Sequence, residues 1–218
     1  MPLYKTIDPN SQTTVKIWKI TESFSNLMQM VVLKPESLQR VSGMKSELHQ
    51  RGFLSVRCLL AAFGYTDYDL FYDENGKPHL KDGRQISITH SFNFSAVIVS
   101  DFVIGIDIEK QRNKIGLIAH KFIDYEFQYL KPDTPNYINQ LTVIWCVKES
   151  LYKLFCTPGL SFKQHCLVIP ISTDTQETTA WIDYNKGKHK YSIAFLEFEG
   201  FTCAYAVGLK FNSLFKFI

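Results

Sequence analysis

Two carboxylates stand two residues apart at the end of an apolar run: Asp107 and Glu109, in a segment that also holds Val103, Ile104, Ile106 and Ile108. The apolar content predicts a strand, in which residues i and i+2 point to the same face. Two like charges side by side repel unless a cation holds them. Oxygen ligands, few in number and leaving room for water and phosphate, are what Mg²⁺ favours. A third carboxylate, Glu149, lies in the segment Trp145–Lys153, where helical spacing puts Glu149 and Lys153 on one face. Lysines beside such acids, Lys148 and Lys153, would neutralise phosphate oxygens. A plainer reading fits the same residues. Asp107 and Glu109 are then solvated acids at a strand end, and Glu149–Lys153 is an exposed pair worth about 0.3–0.5 kcal/mol.

Other groups upstream suit an anion. Lys77 follows Asn75-Gly76 and precedes Pro78, strong turn signals that put its ammonium at a loop. His90 sits at a strand end between Thr89 and Ser91, with hydroxyls on either side. Arg57 belongs to a helical segment. Each group alone has an ordinary structural explanation, a satisfied histidine or a solvated side chain; their order and spacing carry the interest.

The elements that must position these groups are legible from the hydrophobic pattern. An apolar segment at Thr14–Ile20 follows a polar, turn-rich start. Ser46–Gly64 has apolar residues near helical spacing and a glycine at its end, with Arg51 and Arg57 off the apolar stripe. Gln85–Ser91, Phe94–Asp101 and Phe102–Glu109 are strand-like and closely spaced, which predicts an antiparallel meander. Ile115–Leu130 has helical spacing, Lys131–Asn136 breaks the chain with two prolines, and a long helix is expected over Tyr137–Phe155. Four strand-like runs follow, His165–Ile171, Thr179–Tyr184, Tyr191–Phe198 and Thr202–Phe211. The expected class is α+β, with two similar halves, each a helix packed on an antiparallel sheet, over residues 1–104 and 105–218.

Composition sets outer bounds. The chain has 218 residues, 45% hydrophobic and 21% charged, enough for a real core. A net charge of +3 is too small for wrapping a long polyanion, so no nucleic-acid partner is expected; it suits a small anionic ligand or an acidic protein. Five cysteines, an odd number with no CxxC pair, argue for reduced structural thiols. The longest apolar run, Ala96–Ile106, is interrupted by Ser100 and Asp101, and Met1–Asn10 has no signal-peptide pattern. No membrane partner and a cytoplasmic location are therefore expected.

The order Gly76-Lys77-Pro78, then Thr89-His90-Ser91, then Gly105-Ile106-Asp107-Ile108-Glu109, then Trp145, Lys148-Glu149-Ser150 and Lys153 resembles the 4′-phosphopantetheinyl transferases. It looks most like the surfactin-synthetase-activating type, a chain of about this length made of two pseudo-repeated halves. The likeness runs from about Arg57 to Leu160 and includes Lys121–Glu126. There are departures. Ile86 and Ser87 stand where the family has Phe-Asn, Phe92 replaces a glycine, and Thr157-Pro158-Gly159-Leu160 replaces Gly-Lys-Gly-Leu.

The resemblance implies transfer of the phosphopantetheine arm of coenzyme A to a serine of an apo carrier protein, acyl or peptidyl, with release of 3′,5′-ADP. Asp107, Glu109 and Glu149 would hold Mg²⁺, with Mn²⁺ as the alternative. Glu149, or a water it orients, would take the serine proton, and Lys153 would stabilise the leaving phosphate. Arg57, His90 and Lys148 would hold coenzyme A phosphates, Thr89 and Lys153 would also bind coenzyme A, and Lys77 and Pro78 would flank the adenine. The carrier would be acidic, and because one chain supplies every group, a monomer is expected. Two other classes compete: a binding module that holds coenzyme A or a carrier without turnover, and a Mg²⁺-dependent nucleotide pyrophosphatase that activates water with the same acids.

Overall fold

Alternating apolar residues build a first sheet around a helix. In the computed structural model, which describes residues 3–172 and 174–210, the chain divides between Phe102 and Val103 into two compact units. The first unit holds strands β1 (Leu3–Asn10) and β2 (Thr13–Lys19), helices α1 (Phe24–Met30), α2 (Pro35–Ser42) and α3 (Glu47–Ala62), the small hairpin β3 (Leu70–Tyr72) and β4 (Pro78–Leu80), and strands β5 (Gln85–Ser91) and β6 (Phe94–Ser100). Its main sheet has the order β1-β2-β6-β5, every pair antiparallel. Leu54, Leu59 and Leu60 of α3 share a core with Trp18, Ile86, Val97 and Val99. α3 stops where expected. Gly64 takes φ +85°, its N–H donates to Ala61 O and the Tyr65 N–H reaches back to Leu60 O, which satisfies the last carbonyls.

The second unit holds β7 (Phe102–Lys110, its first residue at the division), α4 (Lys114–Ile118), α5 (Tyr137–Phe155), α6 (Phe162–His165), β8 (Cys166–Val168), β9 (Glu177–Tyr184), β10 (Gly187–Phe198) and β11 (Phe201–Lys210). The sheet order is β7-β11-β10-β9-β8. Leu141, Ile144, Val147 and Leu151 of α5 pack on Val168, Ala180, Ile182, Ile193, Phe195, Ala204 and Ala206. Ser150 ties helix to sheet: its hydroxyl bonds Cys146 O at 2.7 Å and Ala204 O at 2.9 Å. Among the described residues no helix is long and apolar enough to cross a membrane.

The architecture is α+β with antiparallel sheets and helices, and it differs from expectation in three places. The polar N-terminal stretch is a strand, β1. Its side chains are mostly exposed, so no apolar alternation announces it, and pairing with β2 decides its conformation. β5 and β6 form the expected hairpin, but β7 does not extend it. β6 already has β2 on its other side, and β7 joins the second sheet beside β11. Ile115–Leu130 is not one helix but α4 followed by 3₁₀ turns at Ala119–Lys121 and Tyr125–Gln128. Between those turns the Phe122 carbonyl bonds Lys148, and the Asp124 N–H bonds the Glu126 carboxylate, so side chains take groups a helix would use. Met1, Pro2 and residues 212–218 of the two expected domains, with Phe211 of the last expected strand, lie outside the described residues.

One close approach sets the geometry of the second unit. A Cβ on Gly105 would lie 1.9 Å from Ser150 O and 3.0 Å from Leu154 N, so α5 crosses β7 backbone to backbone. Gly105→Ala is therefore expected to cost about 3 kcal/mol or more in urea denaturation, the upper end for overpacking, because no flexible side chain can yield. Gly116→Ala is the control: its Cβ would meet nothing nearer than the Ile138 Cδ1 at 3.8 Å, and stability should hold or rise.

Candidate active site

Strand alternation sends Gly105, Asp107 and Glu109 to one face of β7, and Gly105 lies directly against α5. The two acids are thus delivered to the face that α5 covers. Asp107 is buried, and its Oδ1 accepts from Lys153 Nζ at 2.7 Å; the same ammonium donates to Ile106 O at 2.9 Å. Lys153, in the last turn of α5, keeps 28% of its side chain exposed. The charge pair is therefore helix to strand, Lys153 to Asp107, rather than the surface pair along the helix that spacing alone allowed.

Glu149, one turn before Lys153, carries the electrostatic mark of the site. Its pKa is pushed up to about 7, first by burial and then by the Asp107 charge, with Lys153 pulling the other way and Glu109 adding to the rise. Burial works to lower the Lys153 pKa, but Asp107, its hydrogen bond and Glu149 outweigh it, and the net shift is upward. Behind them the Cys146 thiol is held well above its ordinary range by burial, Asp107 and Glu109. Asp107 and Glu109 thus both act on Glu149, and Lys153 opposes them. Among the described residues, no three His, Cys, Asp or Glu side chains are grouped as a metal site. The donor set nevertheless fits a hard divalent cation in its chemistry, because Asp107, Glu109 and Glu149 offer oxygen donors only.

The raised Glu149 pKa has a thermodynamic sign. In the unfolded chain Glu149 ionises near 4.5, in the folded protein only near 7, so the native state binds more protons between those values. Stability from this group is fully present below about pH 4.5 and is lost as pH rises through about 7. In metal-free buffer, the melting temperature of Glu149→Gln minus that of wild type should grow as pH rises across this window. A constant difference would show that the carboxyl is not under this pressure.

Lys148 and Arg57, expected on coenzyme A phosphates, are engaged inside the protein instead. Lys148 is fully buried, and its Nζ lies 2.7 Å from Phe122 O, 3.1 Å from Phe162 O and 2.8 Å from Glu126 Oε1. Three acceptors match the three protons of an ammonium. Burial lowers its pKa, and Glu126 opposes the shift. Glu126 is also buried and receives the Val168 N–H on Oε1 and the Asp124 N–H on Oε2. In the first unit Arg57 is 5% exposed, donates from Nε to Asp67 Oδ1 at 3.0 Å and stacks on Phe53. Asp67 in turn accepts the Lys34 N–H. In both cases a buried carboxylate claimed the cation, which spacing along the chain does not display. Glu126 received no role from the sequence, although the resemblance extends over Lys121–Glu126.

The remaining first-unit residues are placed as follows. Thr89 is buried and His90 is exposed at the end of β5, with the imidazole resting on Gly52 of α3, where an added Cβ would lie 3.0 Å from Nδ1. Lys77 and Pro78 lie half-buried at the β3–β4 turn, where Asp73 accepts the Lys77 N–H and Gly76 takes φ +78°. In the second unit, a cavity of about 170 Å³ opens beside Glu109, floored by Ile115, Ile118 and Trp145 and rimmed by Lys110, Arg112 and Lys114. Trp145 is held edge-on between Phe122 and Phe162, with centroids at 5.0 and 5.6 Å.

If Lys148 is internal support, breaking its pair should unfold rather than merely slow the protein. Glu126→Gln or Lys148→Ala is expected to cost about 3–5 kcal/mol, the usual price of an uncompensated buried charge. The double variant Glu126→Gln/Lys148→Met should recover much of that loss in urea denaturation; a strictly additive double variant would contradict the pairing.

No curated protein matches the chain. Residues 103–206 do match the family model described as the 4′-phosphopantetheinyl transferase superfamily, a span that includes Asp107, Glu109, Glu149 and Lys153. The similarity to this superfamily lies within the second unit.

Proposed function

We propose that the protein transfers the 4′-phosphopantetheine arm of coenzyme A to a serine of an apo carrier protein, acyl or peptidyl, in a Mg²⁺-dependent reaction that releases 3′,5′-ADP. The observation that carries this reading is the convergence of Asp107, Glu149 and Lys153 within the span that matches the superfamily. Motif order suggests the surfactin-synthetase-activating type with two similar halves, a single chain supplying every group suggests a monomer, and the absence of a signal-peptide pattern suggests a cytoplasmic location. The mildly basic net charge suits an acidic carrier.

Asp107, Glu109 and Glu149 would hold the divalent cation, Mg²⁺ or Mn²⁺. When bound, it supplies charge neutralisation to the pyrophosphate of coenzyme A. The protein's own groups do the rest. Lys153, kept charged by Asp107, faces the phosphoryl group that departs. Glu149, whose pKa lies near neutrality in the metal-free protein, is suited to take up the serine proton directly or through water. His90, with Thr89 beside it, would hold a coenzyme A phosphate, and Lys77 and Pro78 would flank the adenine. Arg57 and Lys148 are left out of the contacts because internal partners occupy them.

The direct test is incubation with coenzyme A, Mg²⁺ and an apo carrier, read by intact mass. Addition of the arm to the carrier supports the transferase. Cleavage of coenzyme A without carrier modification would point to the pyrophosphatase, and binding without either change would point to a carrier or coenzyme A module. Within the transferase reading, Lys153→Ala should lower kcat by about 10²–10³, the effect of deleting one preorganised charge-stabilising donor. Lys153→Arg should restore it only partly, because a planar fork cannot replace a compact ammonium held on both Ile106 O and Asp107. Near-normal turnover in Lys153→Ala would remove the lysine from the chemistry.

A further inference from the structure

The turn after α5 is built around a histidine in a way that reaches the candidate active site. α5 ends at Cys156, which takes a left-handed conformation with φ 48°, and the chain turns again at Gly159, φ +83°. At the start of α6 two hydrogen bonds run in opposite senses. Ser161 Oγ accepts the Gln164 N–H at 3.3 Å, and the Ser161 N–H donates to His165 Nδ1 at 2.8 Å. A ring nitrogen accepts only when it carries no proton, so this bond requires a neutral imidazole with its proton on Nε2.

The imidazole is seated from outside by Tyr184 of β9, with centroids 4.7 Å apart and rings at 66°. The Tyr184 hydroxyl donates to Pro158 O at 3.1 Å, and its oxygen lies 3.1 Å from where a Cβ on Gly159 would stand. From inside, the same short helix braces α5. Phe162 packs edge-on against Trp145 and against Tyr152, and its carbonyl accepts from Lys148 Nζ. Trp145 floors the cavity beside Glu109, and Lys148 immediately precedes Glu149. This is also the stretch, Thr157–Leu160 and onward, that the proposed function left without a role.

We infer that His165 is a positioning residue: in its neutral form it locks α6 in place, so that Phe162 holds Trp145 and thereby the wall of the cavity beside Glu109. The inference rests on the proposed transfer reaction. Protonation removes the acceptor of the Ser161 N–H and adds a positive charge to a helix that already carries Lys163 and receives the Lys148 ammonium. The other titratable groups on the elements around it are Tyr184 of β9, Cys166 of β8 and, across Phe155, His189 of β10. The carboxylate on this side, Glu126, is already held by Lys148 and by the Val168 and Asp124 N–H groups. The brace therefore loosens in acid, and the cost falls on substrate binding in the cavity before it falls on the chemical step.

Two substitutions separate the roles. His165→Asn places a carbonyl oxygen near the Nδ1 position and accepts at every pH; His165→Leu accepts at none. Transfer to the apo carrier is measured for wild type and both variants from about pH 8 to about pH 5.5. The ratio of wild-type to His165→Asn kcat/KM cancels the titration of Glu149. It should stay near one at high pH and fall about fivefold in acid, carried by KM, the worth of one hydrogen bond. His165→Leu should match acid wild type throughout. In parallel, the Ser161 amide in NMR spectra of the full chain should titrate with the His165 ring in wild type and stay flat in His165→Asn. A Ser161 amide that ignores the ring would overturn the lock itself. Identical pH profiles for wild type and His165→Asn, with the amide titrating, would overturn the positioning role. A titrating amide without transfer by any variant would sink the proposed reaction instead, and the positioning role with it.

Discussion

The candidate active site depends on two backbones lying in contact. α5 crosses β7 at Gly105, where any side chain would strike the Ser150 carbonyl. Only this approach lets a lysine near the C-terminus of α5 reach both a carbonyl and a carboxylate on the strand. The glycine at the start of Gly-Ile-Asp-Ile-Glu is thus as much a part of the site as the acids that follow it. It contributes space, and the acids contribute charge.

Charge explains why the site needs further support. Bringing Asp107, Glu109 and Glu149 within electrostatic reach of each other is unfavourable, and the raised Glu149 pKa reflects burial first and this repulsion second. Lys153 offsets it in part. The rest is resisted by packing and by a separate internal network on the neighbouring residue. There Lys148 gathers the Phe122 and Phe162 carbonyls and the Glu126 carboxylate, and Glu126 in turn holds the Val168 and Asp124 amides. A single buried ammonium thereby joins α5 to the irregular segment before it, to α6 and, through Glu126, to the end of β8. Ion pairs of this kind add little net stability over apolar packing, but losing one partner is costly, so they specify an arrangement.

Function divides between two neighbours in sequence. Glu149 faces the acids of β7, while Lys148, one residue earlier and so about 100° around the helix, faces the interior. The motif Trp145 to Lys153 therefore serves two surfaces at once. Its Trp145 and Lys148 are structural anchors for the segments that wall the cavity, and its Glu149 and Lys153 point to the charge cluster. The 3₁₀ turns of Ala119–Lys121 and Tyr125–Gln128 follow from the same anchor, because a regular helix there would withhold the Phe122 carbonyl from Lys148.

Periodicity and motif spacing by themselves determined α3 and α5, the α+β class, the strands β2, β5, β6, β9, β10 and β11, and the shared face of Asp107 and Glu109. These are local properties: a repeat of two or of 3.6 residues, a glycine at a helix end, an Asn-Gly turn. Only the tertiary structure decided that β7 leaves the β5–β6 hairpin for the second sheet, because β6 had no free side. It also decided that β1 is a strand, since an exposed edge strand needs a partner but no apolar pattern. For the cations the contrast is sharpest. Arg57, Lys148 and Lys153 look alike along the chain, and what separates them is the carboxylate that folding brings to each: Asp67, Glu126 or Asp107. An ion pair between residues tens of positions apart leaves no mark on local spacing, so burial and partner, not sequence, determine which positive charge supports the fold and which remains beside the acids of β7.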